Sequence, residues 1–388
     1  MHILSKSTYI KGLQCEKALY MTKKQPYLRD KLSIEQRAKF QRGTDVGILA
    51  QQYFPGGINM TPNSPSQFPR RVRGGGGGVQ NPDVNVMYEA VFQHNDTLIM
   101  VDILVRDGKQ WKAIEVKSSL KLSTTYYNDA ALQFYVLHGC GVPLSDFQLM
   151  YLNANYVKHG PIDVRQLFQL VSVMDFAKEQ EAVIAANVER LKQVVALPHA
   201  PQVEVGAQCY DPYPCDFRGH CWKNIPQEDP NVPYSIDFKA LFAQAPDPKP
   251  RNIAYLNPLF YHPAVPELDG TRPYQEMMLA FVLSGEQEPN GHTIWDCFDD
   301  HSRWQEGLEA LEQRLRYYDQ VVTCTSNEHL GYKVFNLCEV LQNAQMFHPL
   351  LKEGFSLQHT AEAVFHDLKL FEHSRIIVEA LAQDFLIS

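Results

Sequence analysis

The chain has 388 residues, of which 45% are hydrophobic and 21% charged, and it carries a net charge of −8. This is the composition of a globular protein long enough for two domains, and it excludes a fibrous or intrinsically disordered chain. No stretch reaches the ~20 apolar residues of a membrane span, and the opening MHILSKSTYIKG lacks a signal-type apolar core. A cytoplasmic protein with no membrane partner is therefore expected. The acidic balance means that any nucleic-acid surface must be a local patch. Candidates are Lys11, Lys17, Lys23, Lys24, Arg29, Lys31, Arg37, Lys39 and Arg42, a run that a solvated helix face explains equally well.

In chain order, SKSTYIKGLQCEKALYMTKK reads as a short strand or turn entering a helix that holds Cys15. A second helix starts at Ser33, with Gln36 at the capping-box position, and ends before Pro55-Gly56-Gly57. Gly43 and Gly47 share one face of it; each costs about 1 kcal/mol against alanine, so the close approach of another backbone is expected there. Residues 59–84, with the run Gly74–Gly78 and basic Arg70, Arg71 and Arg73, read as a flexible loop. Strands are expected at Val84–Phe92, Leu98–Val105 and Trp111–Lys117, the last two joined by a turn at Asp107-Gly108. A helix over Asn128–His138, a strand over Phe147–Leu152 and one or two long helices over Val164–Leu191 complete this half.

Three charges stand out against the apolar hairpin: Asp102, Glu115 and Lys117. Glu115 and Lys117 are two apart on a strand and share a face, while Ile114 and Val116 point the other way. Two carboxylates converging at strand ends beside a lysine form a hard-oxygen site for a divalent cation. The Val116 carbonyl is a further ligand candidate, and Lys117 can orient or polarise an attacking water. Glu89, the only charge in MYEAVF, needs a partner; coordination beside Asp102 is the functional reading and an ion pair with Lys117 the plain one. The alternative for the whole group is a surface hairpin with a salt bridge contributing less than about 1 kcal/mol.

Asp then Glu-x-Lys across a hairpin resembles the PD-(D/E)XK nucleases, and Gln133 and Tyr135 in DAALQFYVL are similar to the Gln-and-Tyr motif of their RecB-type branch. That resemblance implies a restriction-endonuclease-like α/β fold, a mixed sheet flanked by helices, with Mg²⁺ or Mn²⁺ held by Glu89, Asp102, Glu115 and Val116. It implies that Lys117, Gln133 and Tyr135 act with them in cutting DNA. In several RecB-type nucleases the preceding helix also supplies a metal-binding histidine; Gly47 stands at that position here. Tyr126, Tyr127, Tyr135 and Tyr156 are candidates for stacking on unpaired bases, although core packing is the ordinary role of each.

Three of the eight cysteines are evenly set in AQCYDPYPCDFRGHCW, with five residues between Cys209 and Cys215 and five between Cys215 and Cys221. Zinc sites usually use tighter pairs, iron–sulfur clusters tolerate looser loops, and a fourth thiolate would come best from Cys15. One N-terminal cysteine and three after the core is the arrangement of the iron–sulfur RecB-type nucleases, among them the CRISPR-associated single-strand exonucleases and the AddB nuclease domain. By that resemblance Cys15, Cys209, Cys215 and Cys221 hold a [4Fe–4S] cluster; the residues by themselves leave open a four-cysteine zinc site, unliganded thiols, and His220 as a substitute ligand. Cys140, Cys297, Cys324 and Cys338 are expected to be small core residues.

The domain reading is then a nuclease domain over 1–225, a proline-rich linker over 226–251 and a second small α/β domain over 252–388. The last is expected to hold strands at Asn252–Leu256, Met277–Ser284 and Gln320–Thr325 and a helix at Trp304–Tyr318. Its opening text is similar to RNase H-like DEDD exonucleases, but Asn257, Pro258 and Leu259 stand where the family's Asp-Phe-Glu binds metal, so the resemblance implies a degenerate domain. The expected protein is a metal-dependent nuclease acting on single-stranded DNA or DNA ends in repair or phage defence. A non-catalytic DNA-binding scaffold and a redox-sensing iron–sulfur DNA-binding protein are the alternatives.

Overall fold

A computed structural model describes residues 3–31, 34–61, 77–223, 252–285, 287–323 and 334–336. The chain divides into two compact units, one comprising residues 1–225 with 264–274 and the other 226–263 with 275–388. Arg70, Arg71, Arg73, the linker before Asn252, Cys324 and Cys338 lie outside the described residues, as does Ser33.

The first unit is built on a mixed seven-stranded sheet: β1 (Leu4–Ser5), β2 (Ile58–Asn59), β3 (Val86–His94), β4 (Thr97–Asp107), β5 (Gln110–Lys117), β6 (Leu144–Leu152) and β7 (Phe168–Ser172). Strands β2 to β7 lie side by side in chain order, and β1 adds to β4. Both hairpin turns follow local chemistry. Asn95 and Asp96 take positive φ (46° and 55°) between β3 and β4, and Gly108 (φ 62°) turns β4 into β5. The β3-β4-β5 meander is antiparallel, and β6 joins β5 in parallel after a helical crossover.

That crossover helix, α4 (Thr124–Gly139), is buried from Asp129 to Leu137, between the sheet and α5 (Met174–Ala196). α5 presents Ala177, Ile184, Val188 and Leu191 as an apolar stripe. α1 (Lys6–Gln14) crosses it at Gly12, where a Cβ would come within 2.8 Å of Leu191. α2 (Glu16–Lys24) follows α1, and α3 (Ile34–Gln51) covers the opposite face of the sheet through Val46 and Ala50, packed with Ile114, Met150 and Phe168.

Several expectations change. Cys15 is not inside a helix: it is extended (φ −160°) at the junction of α1 and α2. The span expected as helix from Val164 contains β7, because Phe168–Ser172 pairs antiparallel with the outer edge of β6 before α5 begins. No backbone approaches Gly43 or Gly47 among the described residues; a Cβ at Gly43 would meet only the Ser118 hydroxyl at 3.9 Å, and one at Gly47 would meet nothing. Cys140 is exposed, not a core residue, its thiol directed at the Gln93 carbonyl. Residues 264–274 belong to the first unit: Asp269 pairs with Lys158 (2.6 Å), and the Tyr274 hydroxyl donates to the Ser118 carbonyl (2.5 Å).

The second unit has a five-stranded sheet in the order β10 (His292–Asp296), β9 (Met277–Gly285), β8 (Ile253–Tyr261), β11 (Gln320–Thr323), β12 (Val334–Asn336). The first three are antiparallel, and β11 and β12 run parallel to β8. α6 (Trp304–Leu315) packs Leu311 and Leu315 over Leu283 and Phe281 of β9. The sequence indicated β8, β9, α6 and β11; β10 and β12 are short and carry no distinctive pattern.

Candidate active site at the β4–β5 fork

β4 and β5 pair from Asp107↔Gln110 to Ile103↔Ile114 and then part. The next residue of β4 is Asp102. Its Oδ2 accepts the Val116 N–H at 2.6 Å, so a carboxylate takes up a backbone group where the ladder would otherwise continue. β1 pairs in parallel with Thr97 and Leu98 of β4 beyond the fork.

Glu115 is 2% exposed and carries three charge-assisted hydrogen bonds. Its Oε1 accepts from Lys117 (2.8 Å) and from Lys6 at the start of α1 (2.5 Å), and its Oε2 accepts from Gln133 of α4 (2.6 Å). Lys117 also donates to Asp129 (2.5 Å) and lies 4.8 Å from the centre of the Tyr126 ring. Burial alone would raise the Glu115 carboxyl, but the Lys117 and Lys6 ammoniums outweigh it and hold it well below the usual carboxylate range. Burial likewise opposes the charge on Lys117, and Glu115 and Asp129 reverse that, keeping it a firm cation.

Asp102 behaves oppositely. Burial and then the Glu115 charge push its carboxyl well above the usual range, against the pull of Lys6 and of the Val116 N–H. Glu89 stands in β3 between Tyr88↔Ile103 and Ala90↔Val101, opposite Asp102 and outside the paired register. Its φ is +53°, a left-handed conformation in mid-strand. A glutamate is not the residue for such a position on backbone grounds, so this strain is set by surrounding structure and aims the side chain. Burial and then Glu115 raise its carboxyl too.

The sequence-derived group is therefore partly assembled. Glu115 meets Lys117 and Gln133 directly, Asp102 joins them through the Val116 N–H, and Glu89 stands opposite Asp102. Tyr135 does not join them: two residues after Gln133, it turns to the far side of α4, where its hydroxyl accepts from Asn95 (3.0 Å) and its ring meets His94 edge-on. Tyr127 packs on Phe176, and Tyr156 is buried in the core; only Tyr126 reaches the charges. The plain reading of Glu89 as the partner of Lys117 also gives way, since Lys117 pairs with Glu115 and Asp129.

Two members were missed. Asp129 had a signal: it precedes Gln133 by one helical turn and so shares its face. Lys6 had none, being 109 residues from Glu115 and brought there only by the β1–β4 pairing.

No family model matches this sequence, and no curated protein matches it.

By donor type the fork fits a hard divalent cation. Asp102 and Glu89 lack neutralising partners as close as those of Glu115, and the Gln133 Oε1 is a buried oxygen with no hydrogen bond. Among the described residues, however, no group of three or more His, Cys, Asp or Glu side chains forms a ready-made metal cage. The lysines engage the oxygens of Glu115.

Away from the fork, Cys15, Cys209, Cys215 and Cys221 line one cavity with Met21 and Phe217. The Cys215 thiol is pushed up by burial, and the other three sulfurs add to this. Four soft donors on one apolar-backed cavity are the donor type that a thiolate-bound metal group takes, although, as at the fork, they are not gathered into a ready-made cage. His220 is not among the lining residues.

Proposed function

We propose that the chain is a metal-dependent deoxyribonuclease of the PD-(D/E)XK type, in the RecB-like branch. The observation that carries this reading is the fork itself: Asp102 bound to the Val116 N–H, with Glu115, Lys117 and Gln133 converging beside it. A Mg²⁺ or Mn²⁺ ion held by Glu89, Asp102 and Glu115 would supply Lewis-acid polarisation of the phosphate and a more acidic water. The protein's own part is electrostatic. Lys117, pinned between Glu115 and Asp129, presents a fixed positive charge to the phosphate as negative charge builds there, and Lys6 adds a second. Gln133 holds Glu115 in orientation from the helix behind it.

The four-cysteine cavity supports the iron–sulfur branch, with a [4Fe–4S] cluster or, as the rival, zinc joining the α1–α2 junction to the segment after α5. In the second unit, three antiparallel strands followed by two parallel to the first is the arrangement an RNase H-like domain calls for. Asn257, Pro258 and Leu259 in β8 do not supply that family's carboxylates. We read this unit as a degenerate exonuclease domain.

A non-catalytic DNA-binding role is the second reading, and it rests on Glu115 being already neutralised by two lysines. The decisive experiment uses anaerobically prepared protein and end-labelled single- and double-stranded DNA with Mn²⁺ or Mg²⁺, beside Glu115→Ala and Lys117→Ala. Degradation by the wild type alone supports the nuclease reading, and the label pattern gives the polarity. Equal inertness of all three, with DNA still bound, overturns it in favour of the scaffold.

A further inference from the structure

We propose that Tyr213, carried on the loop between Cys209 and Cys215, is a stacking platform for an unpaired base of the nucleic acid at the fork. The proposal deepens the nuclease reading above and rests on it for the identity of the ligand.

The loop is fixed rather than free. The Cys215 N–H donates to the Cys209 carbonyl (2.9 Å), closing it at the neck. Gln14, at the end of α1, donates to both the Gln208 carbonyl (2.7 Å) and the Tyr213 carbonyl (2.6 Å). Asp216, just after the loop, is paired with Lys11 of α1 and with Arg29. The same helix that starts in the fork at Lys6 thus ends by clamping the loop, so the two are held in one frame.

The ring itself is placed as a stacking group would be. Tyr213 is 38% exposed, so one part of the ring is free to be covered. The Lys39 ammonium of α3 lies 5.5 Å from its centre. An exposed aromatic ring bearing a cation, beside a site read as acting on phosphates, is what a single strand uses: bases stack on the ring and the cation follows the backbone. Inside a duplex the neighbouring stacked pairs cover both faces of a base, so the platform selects single strands or frayed ends.

Tyr210, on the same loop, has a different setting. It is also exposed and has Arg218 4.9 Å from its ring, but it meets Trp222 edge-on and so is engaged within the loop, which makes it the internal control.

The test uses the full-length protein in Ca²⁺, so that binding is read without cleavage. Affinities for a fluorescent single-stranded oligonucleotide and for a blunt duplex are compared for wild type, Tyr213→Ala, Tyr213→Phe, Lys39→Ala and Tyr210→Ala. An oligonucleotide carrying 2-aminopurine near its end reports stacking as quenching. We expect Tyr213→Ala to weaken single-strand binding by about 5- to 150-fold, the span of one aromatic–base stack, and to abolish the quenching. Tyr213→Phe and Tyr210→Ala should keep both, Lys39→Ala should weaken binding with a shallower salt dependence, and duplex affinity should change little. Unaltered affinity and quenching in Tyr213→Ala overturns the proposal, as does an equal loss in Tyr210→Ala, which would mean a damaged loop. If the wild type binds in this pattern but never cuts DNA in Mn²⁺, the platform stands and the nuclease reading falls.

Discussion

Replacing Glu115 with Gln tests the electrostatic balance of the fork. The carboxylate is buried and meets two ammoniums at 2.5 and 2.8 Å, so Gln leaves both cations facing a neutral amide. Breaking a buried ion pair by removing one partner costs about 3–5 kcal/mol. Two features place Glu115→Gln at the low end. Lys117 keeps Asp129, and Lys6, at 28% exposure, can turn towards water. The Gln133 amide can also flip, turning its unpartnered Oε1 to accept from the new amide N–H. A loss of about 3 kcal/mol speeds globally limited amide exchange by about 150-fold. The assay is hydrogen exchange of the Gln110–Lys117 amides in metal-free protein. Glu115→Ala, which also leaves a cavity and an unsatisfied Gln133, should lose more. A shift within about 0.5 kcal/mol, the scatter of ordinary surface changes, or a gain in stability would refute the claim that the lysines balance Glu115.

Asp102→Asn should do the reverse, stabilising the metal-free protein by about 1–2 kcal/mol while removing activity, as expected where function opposes stability. The sign follows from its raised folded-state carboxyl: its favourable contribution is complete below the unfolded value near pH 4 and is lost as pH rises through the folded one. The gain should appear in melts at pH 7 and vanish near pH 3; destabilisation at pH 7 would contradict this. For Glu115, whose carboxyl is depressed, stability is present above the unfolded value and drains away as pH falls below about 4.5. Wild type should therefore lose acid stability that Glu115→Gln has already forgone, and parallel acid-unfolding curves would argue against it. At Glu89, φ +53° predicts that Glu89→Gly melts above Glu89→Ala, by about 1 kcal/mol, since only glycine relieves the left-handed backbone. Equal melting would mean the strain is not there. Cys15→Ser should lower iron content and visible absorbance in anaerobic preparations; one zinc per chain in the wild type, with no iron, would replace the cluster by a structural zinc site.

The elements were legible where local chemistry sets them. The Asp107-Gly108 turn, the strands around Glu115 and the crossover helix follow from turn residues and apolar runs, and the face shared by Glu115 and Lys117 follows from the two-residue period of a strand. β7 was hidden because five residues of mixed polarity at a sheet edge carry too short a pattern to oppose a helical reading. The glycines of α3 suggested a close contact, but a missing side chain is visible in sequence only as a weak helix former, whatever the cause.

At the fork, the sequence supplied the types of charge and the tertiary structure decided their states. Asp102 and Glu115 look alike in the text. One is held ionised by Lys6 and Lys117 and the other is driven towards its neutral form, because only the folded chain fixes which carboxylate the cations reach. Lys6 enters through a two-residue parallel strand far away in sequence, and Glu89 is aimed by a backbone angle its residue type disfavours. The setting of Tyr213 depends on Gln14 clamping a loop 199 residues distant. Periodicity and turn chemistry act over a few residues and can be read along the chain. Burial, field and clamping act across it and exist only once it has folded.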